Sequence, residues 1–284
     1  MGSGLHGEQT GKMLAKVEAV LLKEKPDWVL VYGDTNSTLA GALAAAKLNI
    51  PVAHVEAGLR SFNRRMPEEV NRVLADHVST FLFCPTHTAV ANLNAEGISQ
   101  GVHMVGDVMY DATIAAVKRA RERSNILDAQ GLTQSGYAVA TVHRAENTDD
   151  PERLTRILAW LEGAARQRRI VMPVHPRTRK LLDARRWAPT GVKLLPPIGY
   201  LDMTMLLANA VEVLTDSGGL QKEAYFHRVP CVTLRDETEW VETIEAGWNR
   251  LWTQPARAVA RQEIADYGSG DAAERIAALL SEAA

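Results

Sequence analysis

The segment Asp216-Ser217-Gly218-Gly219-Leu220-Gln221-Lys222-Glu223-Ala224 carries the residue types of an anion cradle. It follows the apolar run Val211-Glu212-Val213-Leu214-Thr215 and opens an amphipathic stretch, so the pattern predicts a strand, a tight turn and a helix start. The two glycines let backbone N–H groups approach a ligand, and the first helical turn offers a positive dipole end to phosphate. Glu223 follows about one turn later, where its carboxylate could accept hydrogen bonds from both hydroxyls of a ribose. A diphosphate bracketed by a ribose is a nucleotide. Taken alone, the segment reads equally as a Ser-capped helix with a surface glutamate.

Other reactive side chains recur after apolar runs. Asp34 follows Trp28–Tyr32, Glu56 follows Val52–Val55, His143 follows an apolar run near 137–142, and His175 follows one near 169–174. Parallel α/β sheets bind ligands beyond the carboxyl ends of their strands. Glu56 is the most pointed of these, because a carboxylate directly after an apolar strand is costly without a partner or a task. Asp34 reads also as a turn residue ahead of a Thr/Ser cap, and Glu68 as an acidic residue at a helix start. His143-Arg144-Ala145-Glu146-Asn147 sets an acid/base candidate beside a phosphate-capable guanidinium and a carboxylate, and His175-Pro176-Arg177 repeats the His–Arg pairing. These histidines lie on different strands with no HxH, HExxH or Cys pair, so an anionic ligand is favoured over a metal. No cofactor is expected.

The elements that must position these groups alternate. Helices are expected over 8–24 (Met13, Leu14, Val17, Val20 and Leu21 on one side), 37–47, 68–78, 87–96 and 107–122, and strands at 28–32, 52–55, 80–84 and 102–105. Strands near 137–142, 169–174, 192–195, 211–215 and 230–234 repeat the theme, and a helical tail runs from about 256 to 282 with a break at Tyr267–Gly270. The charged stretch Arg121–Gly136 suggests a boundary. The expected units are 1–122, 123–255 and a tail, 256–284. The fold class is α/β with parallel sheets covered on both faces.

Composition agrees with this class. The 284 residues are 46% hydrophobic and 6% aromatic, with a net charge of −2. Lys and Arg are interspersed with Asp and Glu, which argues against nucleic acid or an anionic membrane as partner. Cys84 and Cys231 sit in apolar runs and read as buried free thiols. No secretory signal and no membrane-spanning run is legible, so the cytoplasm is the expected compartment.

In order along the chain stand Gly33-Asp34-Thr35, His54-Val55-Glu56-Ala57-Gly58-Leu59-Arg60, Met66-Pro67-Glu68-Glu69-Val70-Asn71-Arg72, Val105-Gly106-Asp107, Thr141–Asn147, His175-Pro176-Arg177 and Thr215–Gly219. Together they resemble the non-hydrolysing UDP-N-acetylglucosamine 2-epimerases, from about residue 3 to about residue 280. The resemblance implies the glycosyltransferase-B fold, two Rossmann-like domains with a C-terminal helix returning to the first. It also implies a cytoplasmic homodimer serving cell-surface polysaccharide synthesis by interconverting UDP-GlcNAc and UDP-ManNAc through a 2-acetamidoglucal intermediate. Asp34, Glu56 and Glu68 then map to the acidic residues that handle protons around the sugar, and His143 to the histidine assisting UDP departure. Ser217, Gly218 and Gly219 would hold phosphate and Glu223 the ribose. Arg60, Arg144, Glu146, Asn147, His175 and Arg177 would complete the substrate contacts.

Two departures from the family pattern bear on this. The opening strand with its Gly-Thr-Arg-Pro-Glu turn is not found, so the first domain is expected to be incomplete, with Trp28–Tyr32 as an unprotected edge. And Thr238-Glu239-Trp240-Val241-Glu242 stands where Thr-Glu-Arg-Pro-Glu is more familiar, a variant associated with relatives acting on further-modified UDP-sugars. The other classes compatible with the residues are a glycosyltransferase of the same fold, a hydrolysing epimerase, and a UDP-binding fragment with little or no turnover.

Overall fold

The computed structural model describes residues 5–255 and 259–283. The chain divides into two compact units. One runs to Asp111 and takes up the chain again from Ala265; the other is Ala112–Ile264.

The first unit contains α1 (His6–Glu24), β1 (Val29–Tyr32), α2 (Asn36–Lys47), β2 (Val52–Val55), α3 (Pro67–Val78), β3 (Phe81–Cys84), α4 (His87–Ala95) and β4 (Val102–Met104). The helix α5 (Val108–Arg123) follows, and the division falls in its first turn. The second unit contains α6 (Ile126–Gln130), β5 (Tyr137–Thr141), α7 (Ala145–Thr148), α8 (Pro151–Ala165), β6 (Arg169–Pro173), α9 (Pro176–Ala184), β7 (Val192–Leu195), α10 (Tyr200–Ala208), β8 (Glu212–Thr215), α11 (Gly218–Phe226), β9 (Cys231–Thr233), α12 (Val241–Glu245) and β10 (Asn249–Leu251). A 3₁₀ turn at Ala265–Tyr267 and the helix α13 (Ala272–Glu282) close the chain.

In the first unit four parallel strands lie in the order β1-β2-β3-β4. Short β-prone runs form these strands because both faces are covered, as the four buried residues of β2 show. Leu21 of α1, Ala42, Ala44 and Ala45 of α2 and Val31 pack on one side. On the other, Ile276 of α13 joins Ala53, Val55, Phe83 and Val105, so the tail helix belongs to this unit. Small alanines let α2 sit close to the strands. Val20, expected on the inward side of α1, is exposed, and the inward face is Met13, Leu14, Val17 and Leu21. The strand β1 ends the sheet, with Leu30 and Tyr32 exposed.

The second unit has six parallel strands in the order β10-β9-β8-β5-β6-β7. From β5 the chain winds outward through β6 and β7, then returns to the other side of β5 with β8 and continues through β9 and β10. The β5/β8 boundary is therefore the topological switch point, where parallel sheets open a ligand crevice. All five residues of β5 are buried, as a central strand requires.

Helix starts are specified locally. Thr35 accepts from the backbone of Thr38, Asp150 from those of Glu152 and Arg153, and Ser217 from that of Leu220. Proline opens α3, α8 and α9. The expected tail was too long at its front: residues 259–264 are not helical, and 256–258 lie outside the described residues. Among the described residues no helix is long and apolar enough to cross a membrane. Cys84 and Cys231 are buried and free.

Candidate active site

At the switch point, the turn after β5 meets the turn after β8. Asp216 is fully buried and accepts hydrogen bonds from the backbone N–H groups of His143 (2.9 Å) and Arg144 (2.9 Å) and from Asn147 Nδ2 (3.0 Å). Its other oxygen lies 3.2 Å from His143 Nδ1. Burial works against the carboxylate charge, but these donors outweigh it and hold the Asp216 carboxyl below its ordinary range. An ionised Asp216 fixes the imidazole with Nδ1 as donor and leaves Nε2 for proton exchange. His143 itself is largely exposed.

Beside it, Ser217 caps α11 and Gly218 and Gly219 form its first turn. A Cβ on Gly218 would stand 2.4 Å from Glu239 Oε1, so only glycine allows this approach. Glu239 in turn pairs with the buried Arg235 (3.0 Å), whose Nε lies 3.4 Å from Glu146. Lys222 is buried with Nζ 3.9 Å from the centroid of the Trp240 ring. Glu223 is 7% exposed, and burial pushes its carboxyl up to about 7, opposed only by the Lys222 charge. Glu223 lies in the second turn of α11, where burial disfavours the charged form of its carboxyl.

In the first unit, the carboxyl ends of β1 and β2 bring Asp34 and Glu56 to adjacent strands. Glu56 adopts φ +68°, a conformation uncommon for a non-glycine residue, and its Oε2 lies 3.2 Å from where a Cβ on Gly33 would stand. Asp34 receives Arg72 Nη2 at 2.5 Å. Arg72 also reaches Glu69 at 3.1 Å, and Glu69 accepts from the N–H groups of Ser61 and Phe62. Glu68, in the first turn of α3, is partly exposed, whereas its neighbour Glu69 is buried.

Several expected ligand contacts also have partners within the chain. Arg60 is 4% exposed, its guanidinium held by Glu96 (2.6 and 2.7 Å), Asp76 (2.7 Å) and the Leu59 carbonyl (2.6 Å). Asn147 is fully buried, donating to Asp216 and to the Leu234 carbonyl and accepting from Arg153. Arg177 pairs with Asp149 on the surface. His175 caps α9, accepting from the Arg177 N–H at 3.3 Å. Arg72 and Asp216 were not singled out by role, yet Arg72 holds Asp34 and Asp216 holds His143. The available signal was their place in the quoted motifs, with Arg72 three residues after Glu69 on one helix face. Among the described residues no group of three or more His, Cys, Asp or Glu could hold a metal ion. A cavity of about 500 Å³, lined by Glu212, Cys231 and Asn249 at the amino ends of β8, β9 and β10, contains none of these groups.

Two parallel α/β units, one with a glycine-opened helix and an Asp–His pair at its switch point and the other with carboxylates at its strand ends, place the chain among α/β enzymes. Residues 1–281 match the family model for UDP-N-acetylglucosamine 2-epimerase, and the chain belongs to that family. It is 58% identical over 258 residues to a UDP-N-acetylglucosamine 2-epimerase homolog of Methanococcus maripaludis, covering 88% of this chain and 71% of that one. It is 50% identical over 294 residues to the UDP-2,3-diacetamido-2,3-dideoxy-D-glucuronate 2-epimerase of Pseudomonas aeruginosa, covering 98% and 81%. The crystal structure of Methanocaldococcus jannaschii UDP-GlcNAc 2-epimerase in complex with UDP-GlcNAc and UDP superposes with a TM-score of 0.90 at 44% identity, over 99% of this chain and 83% of that one.

Proposed function

We propose that this chain is a non-hydrolysing 2-epimerase of a UDP-2-acetamido sugar, interconverting UDP-GlcNAc and UDP-ManNAc or a close relative of that pair. The observation that carries the reading is the juxtaposition of the His143–Asp216 pair with the α11 cradle at the switch point. A leaving diphosphate needs both a fixed positive environment and a proton donor.

In the proposed reaction a carboxylate of the first unit, drawn from Asp34, Glu56 and Glu68, removes the C2 proton. The released electron pair forms the C1–C2 double bond as the C1–O bond breaks, and UDP departs with its charge. Ser217, Gly218 and Gly219 hold the diphosphate, His143 assists its departure, and Glu223 receives the ribose hydroxyls. A carboxylic acid then protonates C2 from the opposite face and UDP re-adds at C1. Atoms and electrons balance with no oxidant or cofactor. Arg144, Glu146, His175 and Arg177 serve as supporting substrate contacts and the enzyme acts as a homodimer on a UDP-sugar in the cytoplasm.

A second sugar is favoured by one local feature. Trp240 replaces an arginine of the more familiar family segment, is buried, and places Nε1 3.6 Å from the Cβ position of Gly218 without a hydrogen-bond partner. An indole donor beside the cradle, together with 50% identity to the Pseudomonas aeruginosa enzyme, makes a 2,3-diacetamido uronate the alternative substrate.

Incubation with UDP-GlcNAc, and separately with the 2,3-diacetamido uronate, followed by NMR of the products tests the reading. An epimeric UDP-sugar is expected. Free ManNAc would indicate a hydrolase, transfer to an added acceptor a glycosyltransferase, and recovery of both substrates unaltered would refute the proposal.

A further inference from the structure

His54 lies in the middle of the central strand β2 and has no exposed surface. Its Nδ1 is 2.7 Å from Asp76 Oδ1 and its Nε2 is 2.8 Å from the Gly33 carbonyl oxygen. A carbonyl oxygen has no proton to give, so Nε2 must be the donor there. Asp76 is engaged as an acceptor from two further donors, the Gly58 N–H (3.1 Å) and Arg60 Nη1 (2.7 Å), both on Oδ2. The Arg60 guanidinium on Oδ2 favours the ionised form of this carboxyl, and against a carboxylate oxygen Nδ1 must be a donor too. A neutral imidazole carries one N–H and would leave one of these buried contacts repulsive. The geometry is that of an imidazolium.

We propose that His54 is a permanently charged imidazolium and a positioning residue for the acid/base carboxylates Asp34 and Glu56. The proposal rests on the epimerase reading for the chemistry it serves, though not for the charge itself.

The charge is compensated locally. His54 and Arg60 provide two positive groups, and Asp76 and Glu96 two negative ones, bridged in the sequence His54–Asp76–Arg60–Glu96. Glu56, two residues on from His54, His77, 3.8 Å from Glu96, and the buried Cys84 thiol, which feels Asp76 and Arg60, are further ionisable groups facing the cluster. Burial alone would strip the proton, but Asp76, the Gly33 carbonyl and the Glu56 charge outweigh it and raise the His54 pKa.

The link to chemistry runs through Gly33. Its carbonyl is held by His54 and its N–H donates to the Val55 carbonyl at 3.0 Å, so both sides of this residue are pinned at φ +62°. Asp34 follows directly, and Glu56 Oε2 lies 3.2 Å from where a Cβ on Gly33 would stand. Loss of the Nε2 proton would free the Gly33 carbonyl and with it the turn that aims both carboxylates, and loss of the Nδ1 proton would set a lone pair against Asp76 Oδ1; only the charged ring keeps both contacts. The charged ring thus converts a buried ion cluster into fixed geometry at two strand ends.

Long-range ¹H–¹⁵N NMR of histidine-labelled protein reads the charge directly, with His54 assigned by its absence in His54→Gln. Both ring nitrogens are expected to carry protons from about pH 6 to about pH 9, across and above the ordinary histidine value. One unprotonated ring nitrogen at neutral pH would overturn the proposal. His54→Gln keeps one donor and cannot carry charge. It should lower kcat for epimerisation about 10–100-fold with UDP affinity unaltered, and move the amide resonances of Gly33, Asp34 and Glu56. Unchanged resonances and unchanged kcat would remove the positioning role. If the wild-type protein epimerised no UDP-sugar, the functional reading would fail while the NMR result still decided the charge.

Discussion

Glu223 offers a quantitative test of the ribose assignment through pH alone. Burial pushes its carboxyl up to about 7 in the ligand-free protein. Two ribose hydroxyls donating to it would favour the ionised form, so binding should pull the proton off. With a value of about 7, roughly a tenth of the molecules carry the carboxylate at pH 6 and roughly nine-tenths at pH 8. If only the ionised form makes the bidentate contact, affinity rises about tenfold across that interval, or about 1.4 kcal/mol. Calorimetry should use a UDP-sugar rather than UDP, whose terminal phosphate titrates in the same range. Near pH 7, about half a proton should be released per ligand bound, seen as a dependence of heat on buffer ionisation. Glu223→Gln should bind more weakly and show neither effect. Equal affinity of the wild type at pH 6 and pH 8, or an unaltered slope in Glu223→Gln, would refute the assignment.

Three further outcomes are expected. His143→Ala should reduce turnover by about 10²–10⁴-fold with a much smaller change in UDP-sugar affinity, measured by steady-state kinetics and calorimetry. Gly218→Ala should destabilise the second unit by about 1–3 kcal/mol in urea unfolding, because the new Cβ meets Glu239 Oε1 at 2.4 Å, and should weaken phosphate binding as well. Burial lowers His227 to about 4, so the unfolded chain binds the extra proton between its ordinary value and that one. Stability should therefore fall as pH drops from about 6.5 towards about 4, by up to about 3 kcal/mol, and His227→Gln should flatten that part of the curve.

Much of the fold was legible because parallel strands buried on both faces are short apolar runs and the covering helices keep a 3.6-residue period. The sheet positions of Asp34, Glu56, His143 and Ser217 followed from that alternation. Shorter elements escaped: α6, α12 and β10, of three to five residues, are too brief to show a period. Of the charged run Arg121–Gly136 that suggested a boundary, α5 takes in the first residues, to Arg123, whose charges are the solvated side of that helix. Partners were harder to read than positions. An arginine such as Arg60 or an asparagine such as Asn147 suits a ligand and a buried carboxylate equally well. Only the folded chain brings Asp76 to Arg60 and Asp216 to Asn147. The role of His54 is hidden for the same reason, since its two acceptors come from β1's turn and from α3.

The central claim is that the chain epimerises a UDP-2-acetamido sugar by elimination and re-addition of UDP at C1–C2. Incubation of a UDP-2-acetamido sugar in heavy water, followed by NMR at C2, tests it most directly. Deuterium should appear at C2 of the recovered UDP-sugar in both epimers, and His143→Ala should slow its appearance together with epimer formation. Epimerisation with retention of the original hydrogen at C2 would contradict the account.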